Sequence, residues 1–381
     1  MNATCNKHQA DMKCTTCLLK QICFISITQE MSTKSWREAA SIMIAARTSF
    51  QQIPKSTANY KILMLKRGKT SPFMPGSYVF PGGVAESSDG SKEWLQLYKD
   101  NGYTVTKENA GGRTQNMNIS QYIPEILPLK IAAIRETFEE AGILLCKNKH
   151  VHFQFPVSYW ASYISSYETE TWQNKVKKDP SQFLDLCKHF ECVPDIWALH
   201  LWSNWLTPTH NTRRFNTTFF LAVLDQMPPA ICDKTEMDEM QWSSVSELLS
   251  MSNICKIWLP PPQVYELARL HNFNDVETLV NFAHERVKSG CPFWMPVHMK
   301  TTDGLLFILP GDDLYPEKPD IFQVGTKLSE VQKTAEEMRT GCDNLHRIEY
   351  IENAKTNIIL RNIYPSYGHK LPLLLFDRNN L

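Results

Sequence analysis

Arg135-Glu136-Thr137-Phe138-Glu139-Glu140-Ala141-Gly142-Ile143 is the stretch on which the reading of this chain turns. Just before and within it, Ile131, Ile134, Phe138 and Ala141 recur at intervals of three and four, the spacing of one face of a helix. On that helix Glu136, Glu139 and Glu140 stand at i, i+3 and i+4 and share a second face. Gly142 ends the helix, because glycine readily takes the left-handed conformation that closes one. Three carboxylates brought together repel one another and raise one another's pKa unless a cation joins them. A donor set made of oxygens suits a hard divalent ion such as Mg²⁺ or Mn²⁺. Taken alone, Glu-x-x-Glu-Glu is also the pattern of a solvated acidic face, which is common on helices. The surrounding sequence has to decide between the two.

Upstream of this helix, strands are expected at Glu38 to Ala46, at Tyr60 to Lys66 and at Tyr78-Val79-Phe80. The last is stopped by Pro81-Gly82-Gly83, and loop residues Gly68 to Pro72 lie between the second and third. Residues 84–127 are polar, with a short helix expected at Glu93 to Tyr98 and a loop at Asn109 to Asn118. Downstream, residues 157–190 read as helical, and Trp205-Leu206-Thr207-Pro208 and Phe215 to Leu224 as strands. A helix begins near Ser246, Pro260-Pro261-Pro262 opens another that runs to about Leu270, and Asp275 to Lys288 forms a third. The expectation is an α/β fold, a mixed sheet between helices.

The chain has 381 residues, enough for one large domain with a substantial extension. Lys and Arg total 40, as do Asp and Glu, a balance that argues against generic binding of nucleic acid or anionic membrane. No apolar run is long enough for a membrane span. Residues 1–35 read as a flexible N-terminal tail. Cys14-x-x-Cys17 with Cys5 and His8 has zinc-like local spacing there, but without the apolar framework of a small metal domain. The tail also lacks the continuous apolar stretch of a secretory signal, so the 11 cysteines are expected to be reduced and intracellular. Seven of them are scattered singly beyond the tail, as packed apolar cysteines usually are.

From Arg135 to Ile143 the sequence resembles the second half of the nudix hydrolase box, with Thr137 at a position usually held by a bulky apolar residue. Phe80-Pro81-Gly82-Gly83 is similar to its first half, and Asp89 stands six beyond Gly83, where the family has Glu. Arg135 lies 52 positions after Gly83. The uninterrupted box is shorter by about 38 residues, an insertion that loop-closure entropy tolerates. A second likeness, from Leu63 to Gly83, is to the coenzyme A signature of nudix CoA diphosphatases. Arg67, Gly76 and Phe80-Pro81-Gly82-Gly83 match it, while Pro72 stands where the signature has a second Arg. Trp205-Leu-Thr-Pro, Arg213-Arg214-Phe215, Leu259 to Pro262 and Gly311 to Pro316 extend the resemblance over about residues 36–320.

The resemblance implies a nudix fold over 36–250, interrupted at about 90–127, followed by an α-rich C-terminal extension at 251–381. It implies a Mg²⁺- or Mn²⁺-dependent hydrolase that cleaves CoA and acyl-CoA to 3′,5′-ADP and (acyl-)4′-phosphopantetheine. Glu136 and Glu140, with Glu139 nearby, are expected to hold metal, and Glu139, Glu140 and Arg135 to serve catalysis, Arg135 by orienting the glutamates. Gly82 and Gly83 let backbone approach substrate. Arg67, Arg213 and Arg214 are candidates for its phosphates. Glu236 and Glu239 are candidates for a further acid. Trp202, Trp205 and Trp258 read as core. The family suggests a peroxisomal setting, although Asn379-Asn380-Leu381 lacks the basic middle residue of a peroxisomal address, so mitochondrial or cytosolic placement stays open. The alternatives are a diphosphatase for another nucleoside diphosphate-X substrate, such as a nucleotide sugar or dinucleotide, and a non-catalytic CoA- or nucleotide-binding module. Oligomeric state is left open.

Overall fold

The computed structural model describes residues 35–48, 58–106, 126–149, 158–351 and 355–373. The cysteine spacing of the N-terminal tail, the loop expected at Asn109 to Asn118 and the Asn379-Asn380-Leu381 terminus lie outside the described residues.

The chain enters through β1 (Arg37–Arg47), β2 (Tyr60–Arg67) and the short β3 (Tyr78–Val79) and β4 (Gly82–Val84). A turn of tight helix at Ser87–Gly90 and α1 (Glu93–Asp100) follow, and then α2 (Ile126–Ala141), the helix of the Arg135–Ile143 stretch. β5 (Cys146–Asn148), α3 (Thr169–Lys178), α4 (Gln182–His189) and β6 (Cys192–Pro194) form a second small unit of paired strands and helices. β7 (His200–Leu206), β8 (Phe215–Leu224) and β9 (Met237–Ser243) return to the main sheet. Three helices come next: α5 (Val245–Asn253), α6 (Pro261–Leu270) and α7 (Val276–Arg286). α5 starts with a reciprocal cap between Ser244 and Glu247. α6 starts with Pro261 and Pro262, whose missing N–H groups cost nothing in a first turn.

The main sheet has eight strands, with β1 flanked by β8 in parallel and by β2 and β4 antiparallel. Side chains of a strand alternate between faces, and here both faces are covered. Ala40, Ile42, Ile44 and Ala46 of β1 meet Ile131, Ile134 and Phe138 of α2 in one core. Met43 and Ala45 face the other way, into a core with Leu248 of α5, Val264 of α6 and Val280 of α7. β2 and β8 divide in the same manner: Leu63, Leu65, Phe220 and Ala222 go to the first core, Ile62, Met64, Phe219 and Leu221 to the second. Burial on both faces is why these strands read as continuous apolar runs rather than as alternation. The insertion is not peripheral: Trp94, Leu97 and Tyr98 of α1 are buried in the first core, and Tyr98 Oη donates to Pro194 O at 2.8 Å.

The expectation of an α-rich extension holds over α6 and α7 and gives way beyond them. After the short β10 (Phe293–Trp294) come β11 (Val297–Lys300), β12 (Gly304–Ile308), β13 (Ser329–Glu330), β14 (Leu345–Ile351) and β15 (Lys355–Arg361). The last five form a separate sheet in the order β13-β11-β12-β14-β15. Its Phe307, Leu309, Ile348 and Ile358 join the second core, so apolar packing runs across residue 250 without a break. The expectation of helix throughout 157–190 is likewise narrowed to α3 and α4, because the chain from 158 to 168 runs mostly irregular past the main sheet, with Ala161 N–H bonded to Val223 O. Among the described residues, no helix is long and apolar enough to cross a membrane.

Candidate active site

α2 is anchored by its apolar face and closed by Gly142, whose φ is 67° and whose N–H donates to Phe138 O at 2.9 Å. Gln173 of α3 reaches the same end of the helix and donates to the Glu139 and Ile231 carbonyls. The helix is therefore held rigidly while its polar face turns toward the β4 turn.

Arg135 organises that face. Its guanidinium is 1% exposed and donates through Nε and one terminal nitrogen to both oxygens of Asp89, each at 2.9 Å. The other terminal nitrogen donates to Glu136 at 3.0 Å and to Glu139 at 2.7 Å, and a further bond runs to Val84 O. Asp89, itself buried, also accepts the Glu86 N–H at 2.8 Å, which fixes the helical turn at Ser87–Gly90. The residue six beyond Gly83 thus sits where a carboxylate can lock Arg135, a placement that the sequence left open. Burial opposes the charge on Arg135, but Asp89, Glu136 and Glu139 together keep it protonated.

Glu140 points to the turn. Its carboxylate accepts the Gly82 N–H at 3.0 Å. Close approach to backbone requires Gly82, and Gly83 leaves the Glu136 carboxylate its place. A Cβ on Gly82 would lie 2.3 Å from Ala40 O, and one on Gly83 would lie 2.4 Å from the Glu136 carboxylate carbon. Glu136 consequently lies against the bare backbone of Gly83, within electrostatic reach of both Glu139 and Glu140. Burial pushes Glu136 up to about 7, with Glu139 adding to the rise against the pull of Arg135. Burial also raises Glu139, and it carries Glu140 well above the carboxylate range, where repulsion from Glu136 adds to it. Three carboxylates, Asp89, Glu136 and Glu139, share one guanidinium, and Glu140 has the charge of Arg67 near it. An oxygen donor set with uncompensated negative charge, beside a turn with no side chain in the way, fits a divalent cation.

The remaining candidates divide. Arg67 ends β2 with its guanidinium on Ser71 Oγ and Phe73 O, and its charge favours ionised Glu140. Glu236 also lies within electrostatic reach of Glu139 and Glu140, is paired with Lys177 at 3.3 Å, and its carbonyl accepts the Gly68 N–H. Glu239 is turned to the other face of the sheet: its neighbour Met240 packs toward α2, so Glu239 points away, to Tyr78 Oη at 2.9 Å. Arg214 is not available to substrate. It is buried, lies over the Trp36 ring, and donates to the Thr207, Ile321 and Gln323 carbonyls, tying a loop of the C-terminal region to β8. Arg213, beside it, is exposed. Trp202 and Trp205 are core residues whose indoles donate to buried Glu266, and Trp258 is exposed. Asp89 was legible only as a position, and its bidentate lock on Arg135 needed the fold.

The sequence matches the family model for the NUDT19 Nudix domain over residues 36–270 and that for the NUDT19 C-terminal domain over residues 298–360. It is 37% identical over 373 residues to the acyl-coenzyme A diphosphatase NUDT19 of Xenopus laevis, covering 90% of this chain and 97% of that protein. It is 36% identical over 363 residues to the protein of the same name from Gallus gallus, covering 90% and 96%. To the one from Homo sapiens it is 36% identical over 361 residues, covering 88% and 94%. Nudix hydrolases generally need a divalent metal ion. With its Gly82-Gly83 turn and its Arg135–Gly142 helix inside the matched region, the chain belongs to the NUDT19 family of nudix hydrolases.

Proposed function

We propose that this chain hydrolyses the diphosphate of CoA and acyl-CoA, giving 3′,5′-ADP and (acyl-)4′-phosphopantetheine, with Mg²⁺ or Mn²⁺ as its ion. The observation that carries the reading is the Glu136–Glu139–Glu140 group against the Gly82-Gly83 turn, in a chain alike over most of its length to acyl-CoA diphosphatases.

Glu136 and Glu140, with Glu139 beside them, would hold the ion. Bound there, it supplies positive charge to the diphosphate oxygens and acidifies a water. The chain's own contribution is positioning. Arg135 fixes the orientation of Glu136 and Glu139, and the Gly82 N–H fixes Glu140. The bare turn leaves room for a phosphate close to the main chain. Arg67, near Glu140, supplies a cation for the substrate's phosphates. Glu139 and Glu236 are the carboxylates at hand to accept the proton as water attacks phosphorus and the P–O bond to the leaving phosphate breaks.

Product analysis by mass spectrometry tests this. Purified protein is incubated with CoA, an acyl-CoA, NADH and ADP-ribose, with and without Mg²⁺ or Mn²⁺. Metal-dependent release of 3′,5′-ADP from the CoA substrates is expected. Cleavage confined to NADH or ADP-ribose would move the reading to another nucleoside diphosphate, and binding without turnover would make the chain a sensor. A peroxisomal setting rests on the resemblance alone. Microscopy of the full-length chain reads it, with co-localisation with a peroxisomal marker in favour and a cytosolic or mitochondrial pattern against.

A further inference from the structure

Cys146, Cys187 and Cys192 come from three elements, β5, α4 and β6, and meet in the first core. Their sulfurs all lie within 4.8 Å of one another, each residue is no more than 1% exposed, and none is in a disulfide. Read one at a time along the sequence, they are ordinary packed cysteines. In space they turn their only polar atoms toward a common point, which three cysteines packed merely as small apolar residues have no reason to do. Cys146 stands 41 positions before Cys187, so the fold and not the local spacing brings them together.

From this convergence we infer a three-thiolate site for a soft, thiophilic cation of the Zn²⁺ or Cu⁺ class. A metal–sulfur distance of about 2.3 Å places the sulfurs of a trigonal or tetrahedral site about 4 Å apart, so the present separation needs only a small contraction. Thiolates select soft ions over Mg²⁺ or Mn²⁺, which makes this site chemically distinct from the carboxylates of α2. Without a cation, burial raises the Cys146 and Cys187 thiols and keeps them protonated. A bound cation deprotonates its thiol ligands outright.

The position gives the site a task. Cys146 lies just after the glycine that ends α2, and α4 places Phe183 against Phe138 of α2 at 6.4 Å between ring centroids. A cation on the three sulfurs ties α4 and the β5–β6 pair to the outgoing end of the helix that carries Glu136, Glu139 and Glu140. It is a staple behind the carboxylate cluster, not a part of it.

The test uses full-length, reduced protein purified without chelator and dialysed against Mg²⁺. Elemental analysis should find one equivalent of zinc or copper, and X-ray absorption at that metal's edge should show sulfur neighbours. Cys187→Ser and Cys192→Ser should lose that equivalent, while Cys255→Ser, at an exposed thiol, and Glu140→Gln should keep it. Cobalt exchanged into the wild-type protein should give sulfur-to-metal charge-transfer absorption, a readout that needs no variant to fold. The proposal is overturned if the wild type holds no thiophilic metal and takes up cobalt with no such band. It is equally overturned if the absorption edge shows oxygen and nitrogen neighbours alone, or if two of the three cysteines prove to be a disulfide. None of these readouts depends on diphosphatase activity.

Discussion

Two glutamate sites of this protein differ in what balances their charge. Glu266 on α6 is fully buried, and its oxygens accept Trp202 Nε1 at 2.8 Å, Ser203 Oγ at 2.7 Å and Trp205 Nε1 at 2.9 Å, with Arg269 at 3.4 Å. Its oxygens are thus covered by four donors. On the opposite side of the sheet, Glu136 and Glu139 share Arg135 with Asp89, and Glu140 accepts the Gly82 N–H. A buried carboxylate with its donors supplied is a core element. A group of carboxylates short of positive charge is one that a cation would stabilise in its ionised form.

The sharpest way to break that contrast is to neutralise one acid on each side. Glu140→Gln should lower diphosphatase turnover by about a thousandfold, since the charge stabilisation at stake is several kcal/mol and each 1.4 kcal/mol is tenfold. Its fold should survive. Glu266→Gln should do the reverse, destabilising the fold by about 1–3 kcal/mol by leaving a buried donor unpaired, with turnover of the folded fraction unchanged. Denaturant melts beside steady-state kinetics read both, and a Glu266→Gln enzyme that is stable but inactive would break the distinction.

Gly83→Ala probes the geometry. The added methyl would overlap the Glu136 carboxylate, so Glu136 must move. A displacement of about 1 Å at a catalytic group can cost about a hundredfold. Kinetics that match the wild type would show that Glu136 does not need its position.

The pH dependence sharpens the contrast further. Burial raises Glu136 to about 7 and Glu140 well above its ordinary range. Such acids hold protons more tightly folded than unfolded. The stability they contribute to the metal-free protein is fully present below the ordinary carboxylate pKa and is lost as pH rises through about 7 for Glu136 and higher for Glu140. A divalent ion needs the ionised forms, so it favours the opposite direction. Mn²⁺ should therefore raise the melting temperature by several degrees more at about pH 8 than at about pH 6. An equal shift at both would separate the ion from these carboxylates.

The smallest expected effect separates the two late acids. Glu236→Gln should lower turnover by about tenfold, within or below the range for positioned acid–base groups, because Glu236 lies in the field of Glu139 and Glu140. Glu239→Gln should change little, since its carboxylate is on the far face with Tyr78. A larger loss from Glu239→Gln would reverse the assignment.

Much of this was legible in the residues themselves. The three-and-four spacing of Ile131, Ile134, Phe138 and Ala141 announced α2, and the apolar runs announced β1, β2 and β8, because both signals are local. Arg135 was readable as the residue that pairs with a nearby carboxylate and orients the glutamates, while the insertion after Gly83 hid which carboxylate, and it is Asp89. What the residues concealed depended on distant contacts. Glu239 faces away from the site because of where β9 is in register with β2, around an irregularity between Lys66 and Arg67. Arg214 is taken up by carbonyls more than 100 residues further along the chain. The C-terminal sheet is built from short strands whose apolar side chains fill a core begun by other elements. Cys146 is 41 positions from Cys187, and it joins Cys187 and Cys192 only in the fold.

The most direct measurement is calorimetric titration of Mn²⁺ into metal-free wild-type, Glu140→Gln and Glu266→Gln proteins at a pH where the α2 carboxylates ionise. The account predicts saturable binding in the wild type and in Glu266→Gln, and its loss in Glu140→Gln. Equal binding in all three, or loss in Glu266→Gln alone with its fold intact, would contradict the claim that the undersatisfied carboxylates beside the Gly82-Gly83 turn are the ion's site.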